Sequence, residues 1–299
     1  MATSGSKDFE LAVDDYIEEA YERCGLEIRS GYDLKTAKRS LNLLFADWAN
    51  RGLNRWTITQ ESISLADGVG NYPLGTLTMT VGGSGSFTIG ETITGSSSSA
   101  TASVTSKPSS TSLAITVPSG TFTASETITG SSSSATTTVS TAVSFSDVQS
   151  SIDVLSATIR QNAGASNQTD TTITRIGRDA YLGLSSKNNE SRPSQFYVDR
   201  QITPQIKLWP VPDSSTSYSL VFDRLNRIDD ADGYTNTVDV PFRFYPCLTA
   251  GLAYYLALKR APDRIQVLKT LYEEEFDRAA SEDRDRSSLK LLPYARYVS

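Results

Sequence analysis

The amino-acid sequence predicts an α+β fold, in which a helical core accompanies a β-sheet domain that carries a small inserted β-domain. Three observations support this class: helical periods near both ends, a period of two in the middle, and a Ser/Thr-rich repeat inside that middle region. The chain has 299 residues, of which 38% are hydrophobic and 21% are charged. This composition is typical of globular proteins, and the length allows one large domain or two smaller ones.

Two helices are predicted near the N-terminus. From Phe9 to Cys24, apolar residues recur every three or four positions, while most of the acidic residues fall on other faces. The same period is clearer from Leu34 to Trp48, with Asp33 at the N-cap position and Gly52 as a C-terminal stop. The connection between these segments is short, so the helices are expected to pack as a hairpin in a helical part that spans residues 1–56.

After Trp56 the period changes to two, and the same alternation resumes beyond residue 145. We expect the two stretches to form one β-rich domain, made of residues 57–81 and 146–238 and interrupted by an insert. The strands are predicted at Val154–Arg160, Thr172–Ile176, Ser194–Asp213 with a turn at Thr203–Pro204, and Ser217–Arg224.

The predicted insert, residues 82–145, contains an internal repeat. Of its 64 residues 34 are Ser or Thr, and the pattern FxxxETITGSSSSAT begins at Phe87 and again at Phe122. Such self-similarity at a fixed offset indicates a duplicated supersecondary unit. A flexible linker is the alternative, but apolar residues at matching places favour short β-hairpins. Glu91 and Glu126 also occupy matching places, which favours a structural role in each copy over an acid/base pair.

The chain is predicted to return to helices for residues 239–287, with Asp239 before Pro241 as cap and first turn. Cys247–Leu258 carries no charge, so this helix is expected to be buried all round, either in a core or between subunits. A further helix is predicted from Ile265 to Ala279. The residues expected to pack the uncharged helix are Leu248, Leu252, Tyr255 and Leu256.

The last segment, residues 288–299, has no helical period but is rich in large apolar side chains. Such a tail is more typical of a segment that docks on a partner than of a free one. The residues expected to dock are Leu289, Leu291, Leu292, Tyr294 and Tyr297.

The chain contains no histidine, which excludes Ser-His-Asp and Cys-His nucleophiles, HExxH zinc sites and the two-His-one-carboxylate iron site. Cys24 and Cys247 cannot supply a four-thiolate site or a disulfide framework. No glycine-rich phosphate loop is present, and with 34 acidic residues a carboxylate pair is not a specific sign of a glycosidase. Asp230–Gly233 is similar to the centre of an EF-hand loop, but Ile228 and Asp239 would then take the first and last ligand positions, so a polar turn is favoured. The sequence therefore predicts no catalytic residue, no cofactor and no metal.

The charge balance argues against tight binding of nucleic acid. The chain has 28 Lys and Arg against 34 Asp and Glu, a net charge of −6, and its basic runs are no longer than pairs. Tight phosphate binding needs clustered cations, although a negative wall can let a duplex slide past. With no apolar stretch of membrane-spanning length and no leader pattern, a soluble protein made in a reducing cytoplasm is expected.

Three segments together resemble the head-to-tail adaptors of short-tailed bacteriophages, also called tail tubular protein A or DNA-packaging stabilisation proteins. The most specific part is the run FYVDRQ…P.I.LWPVPD. The resemblance covers the chain apart from roughly Gly82 to Phe145; typical adaptors lack that insert, which resembles short β-repeats of phage structural proteins. The segments are Ile17–Ile58, Arg175–Asp213 and Val238–Ala257.

The resemblance implies a non-enzymatic structural protein of the virion neck, made in the host bacterial cytoplasm. Twelve copies would form a ring that binds the portal protein above and the tail nozzle protein below, with tail fibres as a further partner. The ring would close the DNA channel after packaging and pass DNA at ejection without sequence-specific binding. The helical core would build the ring, the sheet domain would face the tail, and Ser288–Ser299 would reach the portal.

Two other classes follow from the residues alone. The first is a tail-associated glycan-binding protein that acts through the repeat insert, although Phe87 and Phe122 are the only aromatic residues there before Phe145. The second is a polysaccharide-degrading enzyme that uses a carboxylate pair.

Overall fold

The computed structural model describes residues 5–6, 9–52 and 55–284, and it confirms the α+β class. The chain divides into a helical unit, residues 1–56 and 228–299, and a β unit, residues 57–227. The helical unit resumes earlier than residue 239 because Ile228 and Ala231 are buried in its core.

The regular elements are numbered here in chain order. The helices are α1 (Val13–Cys24), α2 (Gly31–Arg51), α3 (Ser146–Ser150), α4 (Arg178–Leu182), α5 (Tyr245–Arg260) and α6 (Ile265–Glu282). The strands are β1 (Ile58–Ser64), β2 (Asn71–Pro73), β3 (Leu77–Val81), β4 (Thr92–Gly95), β5 (Thr101–Ser109), β6 (Ser112–Ile115), β7 (Thr127–Gly130), β8 (Thr136–Ser144), β9 (Ser151–Gln161), β10 (Thr169–Thr172), β11 (Thr174–Arg175), β12 (Gln195–Asp199), β13 (Gln205–Trp209) and β14 (Tyr218–Asn226).

Two predicted helix starts in the N-terminal half are wrong. Phe9 lies outside α1 and is 63% exposed; the helix begins at Val13, where Asp15 accepts the Ala12 N–H at 2.9 Å. Asp33 is not the N-cap of α2, because Ser30 takes that position and Asp33 is the third helical residue. The Asp33 carboxylate accepts both the Ser30 N–H and the Ser30 hydroxyl at 3.1 Å, so Asp33 binds the N-cap residue from the third helical position.

The helical unit is built around α5. Its apolar side chains meet those of α1, α2 and α6 in one continuous core. Gly251 lies at the closest approach: a Cβ there would stand 2.9 Å from both Leu44 and Tyr272, so only glycine allows the helices to come this near. The predicted first turn at Pro241 is wrong, since a 3-10 turn at Phe242–Phe244 comes first and α5 starts at Tyr245.

The β unit contains two four-stranded sheets and a closed barrel. The sheets have the orders β1-β14-β9-β10 and β11-β12-β13-β2. Both contribute side chains to one shared core that includes Tyr72, Ile159, Phe196 and Phe222, as expected for strands with one buried face.

The barrel has the strand order β3-β6-β5-β4-β7-β8 and its own apolar core. It includes Leu77–Val81, which precedes the predicted start of the insert. The two copies of the repeat, β3–β5 and β6–β8, are related by an internal two-fold axis. The equivalent strands β4 and β7 pair with each other, and so do β3 and β6. The long strand of each copy pairs with the first strand of the other copy, β5 with β6 and β8 with β3.

Arg224 on β14 connects the barrel to the sheets. Its side chain is almost fully buried and forms ion pairs with Glu61 and, at 3.0 Å, with Asp147. It also donates to the Leu74 carbonyl at 3.2 Å and the Ser151 hydroxyl at 3.0 Å. Leu74 precedes the first barrel strand and Asp147 follows the last. This one guanidinium therefore binds both of the segments that connect the barrel to the sheets.

Candidate interaction surfaces

A groove runs beside α1 in the helical unit, between that helix, the segment before it and the first turns of α5. Its volume is about 430 Å³. The groove is called the acidic groove here. It is lined by Phe9, Leu11, Asp15, Glu18, Glu19, Glu22, Arg23, Tyr245, Pro246 and Thr249.

The floor of the acidic groove is aromatic. Tyr245 is half-buried and packs edge-on against the fully buried Tyr16, with ring centroids 5.8 Å apart. Phe242, which is 69% exposed, packs on Tyr245 at 5.4 Å. An apolar strip therefore continues from the groove to the surface at Phe242.

The wall of the acidic groove is negative. Asp15, Glu18 and Glu22 are exposed, and Glu19 forms an ion pair with Arg23 at 2.8 Å. Glu18 and Glu22 have no ion-pair partner among residues 5–6, 9–52 and 55–284. Apolar floor and anionic wall together suit a cationic segment that also carries apolar side chains.

The sequence analysis did not predict this groove, although the sequence does indicate its acidic wall. The apolar period of α1 leaves its carboxylates together on the remaining faces, but Tyr245 and Phe242 lie more than 200 positions away in the chain. Only the packing of α5 against α1 brings them together.

The residues expected to pack the uncharged helix lie on α5. Leu248, Leu252 and Leu256 are at most 1% exposed, inside the core of the helical unit itself. Tyr255 is half-buried and meets Tyr254 at 5.8 Å. The helix is not buried all round, because Leu258 is 52% exposed.

The tail residues expected to dock on a partner, Leu289, Leu291, Leu292, Tyr294 and Tyr297, lie outside the described residues.

Asp230–Gly233, the segment that is similar to the centre of an EF-hand loop, forms hydrogen bonds with the helices. The Ala231 N–H donates to Asn42 Oδ1 at 2.8 Å, and Lys38 Nζ donates to the Asp232 carbonyl at 2.6 Å. The Tyr234 carbonyl accepts the Asp14 N–H at 2.9 Å. In the part of the chain that the structure describes, no three His, Cys, Asp or Glu side chains are grouped as a metal site requires.

The carboxylate of Glu126 holds the Ser-rich turn of the other repeat. It accepts the Ser98 N–H at 3.1 Å and the Ser98 hydroxyl at 2.8 Å, and it also accepts the Ser97 hydroxyl at 3.1 Å. Within its own repeat it accepts the Thr123 N–H at 2.6 Å. Burial by itself would raise the pKa of Glu126, but these hydrogen bonds outweigh burial and lower the pKa to about 2.

Glu91 makes the equivalent set of hydrogen bonds in the other direction, from the first repeat to the second. Its carboxylate accepts the Ser133 N–H at 3.0 Å and the Ser133 hydroxyl at 2.8 Å, together with the Thr88 N–H at 2.6 Å. Burial opposes ionisation here too, and the hydrogen bonds again lower the pKa. Each glutamate is 5% exposed. The two carboxylates therefore connect one repeat to the other.

The aromatic side chains of the barrel are poorly placed to bind a sugar. Phe87 and Phe122 are each 2% exposed, because both belong to the barrel core. Phe145 is half-buried. Stacking on a sugar ring needs an exposed aromatic face, so these positions do not support glycan binding by the insert.

A second surface lies on the sheet that contains β12 and β13. Tyr181 stacks on Tyr197 at 5.4 Å, and Lys207 lies within 6.0 Å of both rings. Lys207 also pairs with Asp199 at 3.1 Å. Its charge is thus already compensated within the sheet, which makes this cluster a weaker docking candidate than the acidic groove.

These features define a protein of assembly, because its buried carboxylates hold segments together and its acidic groove suits a peptide segment. The chain belongs to the SU10 adaptor protein family, whose model matches residues 7–293. The resemblance to phage head-to-tail adaptors is therefore confirmed at the level of the family. No curated protein matches the chain significantly.

Membership makes the chain a structural component of the phage virion that associates with other components of the neck. Among the residues the structure describes, no helix combines the length and the apolar character needed to cross a bilayer.

Proposed function

We propose that the protein forms the ring that joins the portal to the tail nozzle in the neck of a short-tailed phage, without catalysing a reaction. The observation that carries this proposal is the family match over residues 7–293. In this role the ring lines the DNA channel, closes it after packaging and lets DNA through at ejection. Tail fibres are a further proposed partner.

Exposed apolar side chains support an oligomer. On the helical unit, Leu43, Leu258 and Val267 are more than half exposed, and on the β unit Ile202 is 85% exposed. Contiguous apolar surface is typical of contacts with other chains, and in the proposed ring neighbouring copies would cover these side chains. Head-to-tail contacts between identical chains close into rings when the rotation permits, and twelve copies are proposed here.

The charge of the chain suits a channel for DNA. A ring of twelve copies would carry twelve times the net charge of −6. If these charges face inward, they repel phosphates, so a duplex slides without binding to a particular sequence. The portal contact is assigned to Ser288–Ser299, through the tail's leucines and tyrosines.

Native mass spectrometry of the full chain mixed with its cognate portal ring tests this function. The expected result is a complex with twelve added copies. The triple variant Leu291→Ser/Leu292→Ser/Tyr294→Ser should bind at least tenfold more weakly, whereas Leu182→Ser, at a position 59% exposed on the β unit, should leave portal binding unchanged. A portal that stays bare while the wild-type chain is folded would contradict the adaptor role, and unchanged binding of the triple variant would contradict the tail contact.

A further inference from the structure

We propose that, in the free subunit, residues 285–299 dock in the acidic groove of their own chain. The docking is independent of the portal contact proposed above, because it concerns a surface and a segment of the same subunit. Three properties of the chain support the docking: the place where it leaves the helical unit, the length of the segment and the charge of the segment.

The described chain leaves α6 close to the apolar strip. Asp283 is 9% exposed and forms an ion pair with Arg243, and it accepts the Arg55 N–H at 2.9 Å. Arg243 directly follows Phe242 and lies two residues before Tyr245 on the groove floor. The segment therefore starts beside the exposed end of the strip that leads into the groove.

The segment is long enough to follow the whole groove. It has 15 residues, which span up to about 50 Å when extended. The groove follows α1, a helix of 12 residues and hence roughly 18 Å long. Docking is therefore possible without any change in the helices.

The chemistry of the segment complements the groove. Its charged side chains are Arg286, Lys290 and Arg296 against Asp285, so it is cationic in a chain whose net charge is −6. The groove offers Glu18 and Glu22, which lack ion-pair partners among the described residues. Leucines and tyrosines alternate with these cations and suit the aromatic floor. Exposed charge pairs contribute modestly one by one and weaken with salt, so the docked population should fall as ionic strength rises.

Docking of this kind regulates assembly, a consequence that, unlike the docking itself, rests on the portal contact proposed above. The residues that the portal contact needs are then held on the free subunit, and the portal must compete for them. When only a fraction of a protein is in the binding-competent state, its apparent affinity is the intrinsic affinity multiplied by that fraction. Free subunits would thus associate weakly until a portal ring captures the tail.

Paramagnetic relaxation enhancement on the full chain tests the docking. A spin label is attached to Ala295→Cys, and the native Cys24 and Cys247 are at most 3% exposed, so labelling is selective. The expected result is strong broadening of the amide signals of Asp15–Glu22. The variant Glu18→Lys/Glu22→Lys should lower the docked population roughly tenfold, since two attractive contacts become repulsive.

The matched control is Glu274→Lys/Asp277→Lys, which makes the same charge change at exposed positions on α6 and should leave the broadening intact. Far-UV circular dichroism confirms that each variant is folded. Unbroadened α1 signals in the wild type, or equal broadening in the groove variant, would overturn the docking. Mixing spin-labelled unenriched chains with unlabelled ¹⁵N chains separates the occupants, because only contacts between chains broaden signals in this mixture. The expected result is no broadening there; broadening of Asp15–Glu22 that persists in the mixture would overturn the docking and replace the chain's own tail by that of a second copy.

Discussion

The helical core and the barrel core use different chemistry to hold their elements together. The helical core is filled by large side chains such as Trp48, Tyr16 and Tyr272, all fully buried. The barrel core is smaller, and beside it lie the buried carboxylates of Glu91 and Glu126. A small Ser/Thr-rich domain has little apolar area to bury, so charge-assisted hydrogen bonds supply part of what packing supplies in the helices.

The largest expected effect of a single change concerns the helical core. Trp48→Ala should lower the free energy of unfolding by about 3–5 kcal/mol, since it leaves a cavity at the centre of the unit. It also removes the indole donor to the Tyr272 hydroxyl, which now lies at 3.0 Å. Urea unfolding followed by far-UV circular dichroism measures the change. Tyr32→Ala, at a position 67% exposed on α2, is the control and should shift stability little; a loss below about 1 kcal/mol for Trp48→Ala would contradict the assigned centre of the core.

The next effect concerns the two barrel glutamates. Glu91→Gln and Glu126→Gln should each destabilise the barrel by about 1.5–3 kcal/mol, because a neutral amide has one accepting oxygen in place of two and brings an NH₂ group towards existing donors. Hydrogen exchange of β4 and β7 measures the loss, while the amides of α5 should keep their protection. Glu27→Gln, at an exposed position, is the control. If one variant lost protection and the other did not, the two repeats would not be equivalent.

The smallest expected effect is a pH dependence of the stability difference between the wild type and Glu126→Gln. In the folded barrel the pKa of Glu126 is about 2, against an ordinary value of 4.5. A lowered pKa means that the ionised group stabilises the fold above pH 4.5 and that this stabilisation is lost as the pH falls towards 2. Because Glu126→Gln lacks the stabilisation at every pH, the gap between wild type and variant should narrow over this interval. Exchange rates of β7 at several pH values, corrected for intrinsic exchange, measure the gap, and a constant gap would show that ionisation of Glu126 does not matter.

Local patterns predicted most of the elements but not their ends. The apolar period placed α2 and α6 correctly, because helical hydrogen bonds join residues four apart and a helix needs one apolar face. Asp33 was misassigned since Ser30 and Asp33 are both good capping residues. Phe9 fits the period of α1, yet it lies before the helix and remains exposed.

The candidate sites were likewise predicted only in part. That Glu91 and Glu126 act structurally was predicted from their equivalent places in the repeat. That each holds the other copy's Ser-rich turn follows only from the pairing of β4 with β7, because the sequence does not indicate which strands are neighbours. The acidic groove likewise depends on α1 lying against α5.

By itself the sequence determined the fold class, the duplication, the absence of histidine chemistry and the family resemblance, because each is carried by residue identities or by spacings of a few positions. Only the tertiary structure decided that the duplicated unit closes into a barrel around a two-fold axis and that Tyr245 lies beside the carboxylates of α1. These contacts join residues far apart in the chain, and their free energy depends on burial and pairing after the chain has folded.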